Sequence, residues 1–294
     1  FFVYQGISKL RKEMSEQINP NLPNYENTAI IVITYNPESD FKKNYEQYNK
    51  IVRNCIIVDN GSHNAKEIEN LTLGDKRNYF IELHENKGIT YALNIGIRKA
   101  QYLNKKWILT LDDDSFPYNE IIDVYSNIIK LNPNIGILGT DYSELNHQSE
   151  LKIKDTLTVI TSGALQNIQI FNDVGYYNEK LFIDCVDFDM NIRVKEYSPY
   201  RVCQINKALI SHHLGSPIKK HGICSSNHNE KRRYYWARNT IYLNKRYFLK
   251  VPLWIIKKDY FFIRDLISMI LIERNKTQKF NAIMKGIING IKGK

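Results

Sequence analysis

The most chemically pointed spacing in the chain is Asp112-Asp113-Asp114, three consecutive carboxylates closing the apolar run Trp107-Ile108-Leu109-Thr110-Leu111. Adjacent carboxylates repel one another unless cations or hydrogen-bond donors offset the cost. Mg²⁺ takes one or two protein carboxylates together with substrate phosphate oxygens, so the triplet suits metal-assisted chemistry at a phosphate; a solvated acidic turn is the plainer alternative. Asp184, Asp187 and Asp189 form a second set, D-x-x-D-x-D, at the entry to a helical pattern. That spacing can set Asp184 and Asp187 on one side of the first turn, where a carboxylate serves as a general base or caps the helix. Asp59-Asn60-Gly61-Ser62 ends another apolar run, with Asp59 either an acceptor for a ligand N–H or a turn former.

These groups sit at corresponding places in a regular alternation. Ala29-Ile30-Ile31-Val32-Ile33 runs into Thr34-Tyr35-Asn36-Pro37, Cys55-Ile56-Ile57-Val58 into Asp59, and Trp107 to Leu111 into the acidic triplet; Tyr79 to Leu83 is a further short run. β-branched apolar runs closed by turn residues read as buried strands, and helical patterns over 41–51 and 89–102 lie between them. Strand–helix alternation predicts an α/β fold with a mainly parallel central sheet, whose ligands bind at the carboxyl ends of the strands. The second half predicts strands from Ile135 to Leu138, Leu157 to Ser162 and Ala208 to His212, a helix starting over Asp187 to Lys195, and helices from Lys231 onward with a break at Pro252. The chain divides into a leader, 1–27, with a helix-like stretch from Lys9 to Glu13, a main domain, 28–240, and basic amphipathic helices, 241–294.

The order Thr34-Tyr35-Asn36-Pro37, Asp59-Asn60-Gly61-Ser62, Asn86-Lys87-Gly88 with Ala92, Asn94 and Gly96, then Leu111-Asp112-Asp113-Asp114-Ser115, resembles the nucleotide-sugar-binding half of the family 2 glycosyltransferases, which have the GT-A fold. Further on, Thr161-Ser162-Gly163-Ala164, the run Leu181 to Asp189 with Arg193, His212-His213-Leu214-Gly215 and Tyr234-Tyr235-Trp236-Ala237-Arg238-Asn239 resemble the rhamnosyltransferase branch of that family. The resemblance covers residues 29–294 and divides the main domain into a nucleotide-sugar-binding half, 28–130, and an acceptor and catalytic half, 131–240.

It implies that Thr34, Tyr35, Asn36 and Asp59 hold the nucleotide, Asp59 through the pyrimidine N3–H. Asn86, Lys87 and Gly88 would line the sugar-nucleotide cleft, Asn86 being equally a turn residue. Asp112 would meet the ribose, and Asp114 a divalent metal, Mg²⁺ or Mn²⁺, on the diphosphate; Asp113 belongs to the donor site without a defined role. His212 is the further metal ligand, His213 its alternative. Asp187 takes the acidic base position of an inverting transfer. Asp184, Asp189, Ser162 and Gly163 would face the acceptor, and Arg238 the diphosphate. The plainer alternatives are helix capping for the acids, a strand-to-turn junction for Ser162 and Gly163, and core packing for the aromatic helix.

Composition agrees with an ordinary globular protein: 294 residues, 43% hydrophobic and 24% charged, which excludes disorder and collagen. Cys55, Cys185, Cys203 and Cys224 are scattered and form no C-x-x-C pair, so reduced thiols are expected, and neither secretion nor transmembrane insertion is expected. The net charge of +10 favours anionic partners, and residues 241–294 hold 12 Lys and Arg against three acids, interleaved with Trp, Tyr, Phe, Leu and Ile. Such helices suit an anionic membrane surface, or pack on the core with a solvated basic side. A nucleic-acid binder is the competing class, set aside because no nucleic-acid-binding signature is present and the acidic triplet would repel a phosphate backbone. The expectation is therefore a metal-dependent, inverting glycosyltransferase. It would move rhamnose from dTDP-rhamnose, or another hexose from a UDP or dTDP donor, onto a glycan or lipid-linked glycan of a bacterial surface polysaccharide, from the cytoplasmic face of the membrane.

Overall fold

The computed structural model describes residues 21–38, 40–142, 150–211, 217–220 and 222–293. The helix-like stretch expected over Lys9 to Glu13, together with His212, His213 and Gly215, lies outside the described residues. Strands β1 (Thr28–Thr34), β2 (Asn54–Asp59), β3 (Tyr79–Glu82) and β4 (Trp107–Asp112) pair in parallel in the order β3-β2-β1-β4, with Thr34 beside Asp59 and Ile33 beside Asp112. Helices α1 (Phe41–Ile51), α2 (Ala65–Thr72) and α3 (Ile89–Tyr102) join them.

Alternation along β1 sorts its side chains to opposite faces. Ile30 and Val32 pack with Phe41, Tyr45 and Tyr48 of α1, and with α4 (Ile121–Leu131), while Ala29 and Ile31 pack with Ala92, Leu93 and Ile97 of α3. Both faces are covered, so the strands are apolar throughout, and each buried Ile or Val contributes about 1.5–3 kcal/mol. Gly96 lets α3 sit against β1: a Cβ there would lie 2.5 Å from Ile31 Cγ2.

Beyond β4 the sheet is mixed. Strand β8 (Ala164–Asn167) runs antiparallel to both β4 and β6 (Ile135–Asp141); β9 (Arg201–Ala208) lies parallel to β6, and β7 (Ile153–Asp155) is antiparallel to β9 at the edge. The strand expected from Leu157 to Ser162 is absent. Leu157 and Val159 are buried in alternation, which imitates a strand, but their carbonyls accept hydrogen bonds from the side-chain amide of Asn191 in place of a ladder. The segment expected from Ala208 to His212 is split between the end of β9 and β10 (Ile210–Ser211), which pairs with β5 (Phe116–Pro117). β9, whose polar residues alternate with Val202 and Ile205, was not foreseen.

Helix α5 (Ile170–Val174), a 3₁₀ turn (Glu179–Leu181) and α6 (Val186–Tyr197) follow on the α3 side of the sheet. A small hairpin, β11 (Ile218–Lys220) with β12 (Ile223–Ser225), precedes α7 (Glu230–Tyr247), α8 (Pro252–Ile272) and α9 (Lys276–Lys292). Pro252 stands at the first turn of α8, where its missing N–H costs nothing. Helix α7 runs through residue 240 without interruption, so the boundary expected there falls inside a helix: residues 230–240 and the basic helices are structurally continuous.

Candidate active site

The carboxyl ends of β1, β2 and β4 bring Thr34, Asp59 and Asp112 to one edge of the sheet. Asp59 is fully buried; Oδ1 accepts from the Thr34 hydroxyl at 2.9 Å, and Oδ2 from the amides of Gly61 at 3.1 Å and Ser62 at 2.9 Å. Asp59 is therefore a turn former, holding the loop that carries Asn60. Asn60 in turn receives the amide N–H of Lys87 at 2.9 Å and donates to Asn86, which accepts from Gly88. Gly88, at φ +90°, caps α3 where a Cβ would strike the Phe182 ring at 2.7 Å. The Lys87 ammonium lies 3.5 Å from Glu85 and over the Tyr91 ring.

Asp113, left without a role by the sequence, ties the acidic turn to the first loop. Its Oδ2 accepts from the Tyr35 amide at 3.1 Å, and its carbonyl accepts from Asn44 of α1 at 2.9 Å. Burial, then repulsion from Asp114 and Asp112, pushes its carboxyl up to about 7 against the Tyr35 hydrogen bond. Ser162 lies beneath the turn, not on an open acceptor face: it is buried, accepts from the Asp112 amide at 3.1 Å and shares a hydrogen bond with Ser115 at 2.7 Å. Gly163, at φ +77°, donates its N–H to Thr110, so both residues form the strand-to-turn junction.

Asp114 is exposed and, with Asn36, Lys43, Asp113 and Ser211, lines a cleft of about 700 Å³. Ser211 pairs with Phe116, two positions beyond Asp114 in the chain. Among the described residues no three metal-ligating side chains are gathered in one place. Three adjacent carboxylates that repel one another nevertheless fit a hard divalent cation whose remaining ligands come from phosphate oxygens.

The loop from Leu181 to Cys185 delivers Asp187. Phe182, Asp184 and Cys185 all have φ near +60°, a conformation non-glycine residues rarely adopt. Helix α7 holds them there. The Asn239 amide, fully buried, donates to the carbonyls of Leu181 at 2.8 Å, Ile183 at 2.7 Å and Asp184 at 2.9 Å. Arg232 pairs with the Asp184 carboxylate at 3.0 Å, and Tyr235 stacks on Phe182 with ring centroids 4.6 Å apart. The sequence placed Asn239 with Arg238 in a motif near the diphosphate and Phe182 in the Leu181 to Asp189 run, without their loop-holding role, and did not single out Arg232. Asp187 stands in the first turn of α6, its carboxyl pushed up to about 7 mainly by burial, then by the negative charges of Asp184 and Asp112. That coupling brings the two acidic sets of the sequence into one electrostatic unit.

Two further residues of the expected site make structural contacts. Asp189 is buried in an ion pair with Arg193 at 2.9 Å and accepts from the Tyr247 hydroxyl at 2.7 Å, so it fastens α6 to α7. Arg238 donates to the carbonyls of Lys180 and Leu181 and to the side chain of Asn239, and lies over the Tyr235 ring, so its guanidinium supports the Asp187 loop.

The sequence profile of glycosyl transferase family 2 matches residues 29–164. A dTDP-rhamnosyl transferase, RfbF, of Shigella flexneri is 28% identical over 91% of this chain and 96% of its own length. An uncharacterized glycosyltransferase of Haemophilus influenzae is 25% identical over 80% of this chain and 93% of its own. In fold, the chain is similar to S. aureus TarS 1–349 in complex with UDP-GlcNAc, with 14% identity and a TM-score of 0.52 over 90% of this chain and 72% of that one. It is also similar to GalNAc-T7 with UDP, GalNAc and Mn²⁺, with 12% identity and a TM-score of 0.57 over 93% and 57%. An α/β sheet of GT-A type with an acidic turn at its carboxyl edge, and a profile match over residues 29–164, the part that builds that edge, lead to one conclusion: this part of the chain is similar to the glycosyltransferases of family 2.

Proposed function

We propose that the protein is an inverting rhamnosyltransferase, taking rhamnose from dTDP-rhamnose to a hydroxyl of a glycan or lipid-linked glycan. The observation that carries this reading is the position of Asp187 in the first turn of α6, behind the loop that Asn239 holds at three carbonyls, where burial pushes its carboxyl up to about 7. A base with a pKa near working pH accepts a proton effectively. The acceptor oxygen attacks the anomeric carbon, its proton passes to Asp187, and the bond to the donor diphosphate breaks with release of dTDP. Similarity to RfbF over nearly both chains supports the choice of donor.

The loop of Thr34, Tyr35 and Asn36 cradles the nucleotide, Asp112 meets the ribose, and Asn86, Lys87 and Gly88 border the sugar. Asp114, with His212 or His213 beyond the described residues, would hold Mg²⁺ or Mn²⁺. The ion supplies charge stabilisation to the departing diphosphate.

Helix α8 supports a peripheral site of action on the cytoplasmic face of the membrane. Leu253, Ile256, Tyr260, Ile263, Ile267 and Ile270, spaced by three and four, form an outward stripe between 43% and 83% exposed. Lys257 and Arg264 flank it, and no helix among the described residues is long and apolar enough to cross a membrane. An apolar stripe flanked by cations suits shallow docking on anionic lipid. The direct test incubates the full chain with dTDP-rhamnose, UDP-hexoses or neither, with Mg²⁺ and a lipid-linked acceptor, and follows nucleotide release. Turnover selective for dTDP-rhamnose supports the reading; turnover only with another donor replaces rhamnose.

A further inference from the structure

A second cavity, of about 850 Å³, opens between α6, α8 and the strands β7 and β9, with none of the acidic-turn residues in its walls. Its wall is aromatic: Phe188 meets Trp254 edge-on at 5.2 Å between ring centroids, and Trp236 lies against Phe262 at 4.3 Å. Its border is cationic. Lys154, Lys195, Lys257, Lys258 and Arg201 line it; Arg201 pairs with Asp155 at 2.9 Å and Lys258 with Asp259 at 2.6 Å. Lys154 and Lys257 have no acidic partner among the described residues.

An aromatic chamber with surplus positive charge at its border fits neither a sugar nor a free phosphate; it fits a molecule with a hydrocarbon chain ending in a phosphate. Two placements say where such a molecule comes from and what it meets. Phe261 belongs both to the cavity wall and, at 42% exposed, to the outer surface of α8 beside the apolar stripe, so the chamber adjoins the surface suited to lipid. Cys185 and Phe188 also line the cavity and flank Asp187 in the chain, so the cavity borders the helical turn that carries the proposed base.

We propose that this cavity seats the lipid phosphate of the acceptor, its chain among Phe188, Trp236, Trp254 and Phe262 and its phosphate against Lys195, Lys257 and Lys258. This rests on the reading of the protein as a transferase with a lipid-linked acceptor, and specifies which part of the enzyme recognises the lipid.

Two of the three tryptophans, Trp236 and Trp254, line the cavity, while Trp107 is buried in β4, so intrinsic fluorescence reports on it. The full chain is titrated with farnesyl phosphate, farnesol and inorganic phosphate. A saturable fluorescence change with farnesyl phosphate is expected, with farnesol and inorganic phosphate each weaker by about tenfold or more. The double variant Lys195→Glu, Lys257→Glu, altered only at exposed positions, should lose about tenfold in affinity for farnesyl phosphate and none for dTDP-rhamnose. Trp254→Phe should remove a large part of the signal. Inorganic phosphate or farnesol binding as tightly as farnesyl phosphate, or a response indifferent to the lysine substitutions, overturns the assignment. A thermal shift with dTDP-rhamnose and Mg²⁺ on the same preparation separates the two ideas. A donor shift without a farnesyl phosphate response sinks the lipid cavity alone, whereas a lysine-dependent response without a donor shift upholds the cavity and sinks the rhamnosyltransferase reading.

Discussion

Asn239 donates its side-chain amide to the carbonyl oxygen of Asp184 at 2.9 Å, three residues before the proposed base, and to the carbonyls of Ile183 and Leu181 as well. One buried side chain of α7 thus holds a loop with three non-glycine residues at positive φ. Each such residue carries a cost of about 1–3 kcal/mol that persists only where surrounding contacts fix it. Replacing Asn239 with Ala removes all three bonds and leaves the carbonyls to relax. We expect kcat to fall by about tenfold or more while the KM for donor changes little, with a stability loss of about 1–3 kcal/mol. An equal rise in KM, or an unchanged kcat, would show that the clamp does not position Asp187.

Asp187→Asn keeps the shape of the side chain and removes the proton acceptor. Transfer should fall by about 10²–10⁴-fold, while the dTDP-rhamnose-induced thermal shift is preserved. Full turnover in this variant would sink the assignment of the base. In the unaltered enzyme, kcat/KM should rise as pH passes through about 7, because deprotonation creates the base.

The raised carboxyls also bear on stability, with a definite sign. Asp113 and Asp187 bind protons more tightly folded than unfolded, so the folded state holds more protons between the ordinary carboxylate range and about 7. Stability therefore falls as pH rises across that window and levels off above it. Asp113→Asn should flatten the trend in urea midpoints measured from pH 5 to pH 8. It should also loosen the first loop, since Asp113 accepts the Tyr35 amide.

Asp114→Ala should weaken donor binding only where binding depends on the metal. The thermal shift given by dTDP-rhamnose with Mg²⁺ should shrink toward the shift seen with chelator. In the unaltered protein Mg²⁺ should stabilise more at pH 8 than at pH 5, because the acidic turn carries more charge at the higher pH. A shift independent of both metal and Asp114 would remove the ion from the donor site.

Ile263→Glu with Ile267→Glu places carboxylates on the exposed stripe of α8 without touching the buried Met269 or Ser268. Co-sedimentation with phosphatidylglycerol vesicles should drop by about tenfold or more, whereas transfer to a soluble glycan acceptor stays near that of the unaltered protein. Retained vesicle binding would assign the stripe to another partner.

Much of the frame was legible because it is locally written. The β-branched runs of β1, β2 and β4, each ending in Thr or Asp, named the sheet and its ligand edge, and the helix behind Asp187 declared itself by its acids. The false strand from Leu157 to Ser162 shows where local pattern misleads: alternation of buried residues was real, but Asn191, some thirty positions away, took the ladder's hydrogen bonds.

For the site, residue types and order by themselves determined that two groups of carboxylates would stand at the ends of apolar elements in an α/β sheet. Only the tertiary structure decided which carboxylates remain available. Asp59 is spent on Thr34 and its own turn, and Asp189 on Arg193 and Tyr247, while Asp187 is left raised toward neutrality beside Asp184 and Asp112. A carboxylate's chemistry depends on what desolvates it and what donates to it. Thr34 of β1 and Tyr247 of α7 stand 25 and 58 positions from the carboxylates they meet, and folding alone brings them within reach.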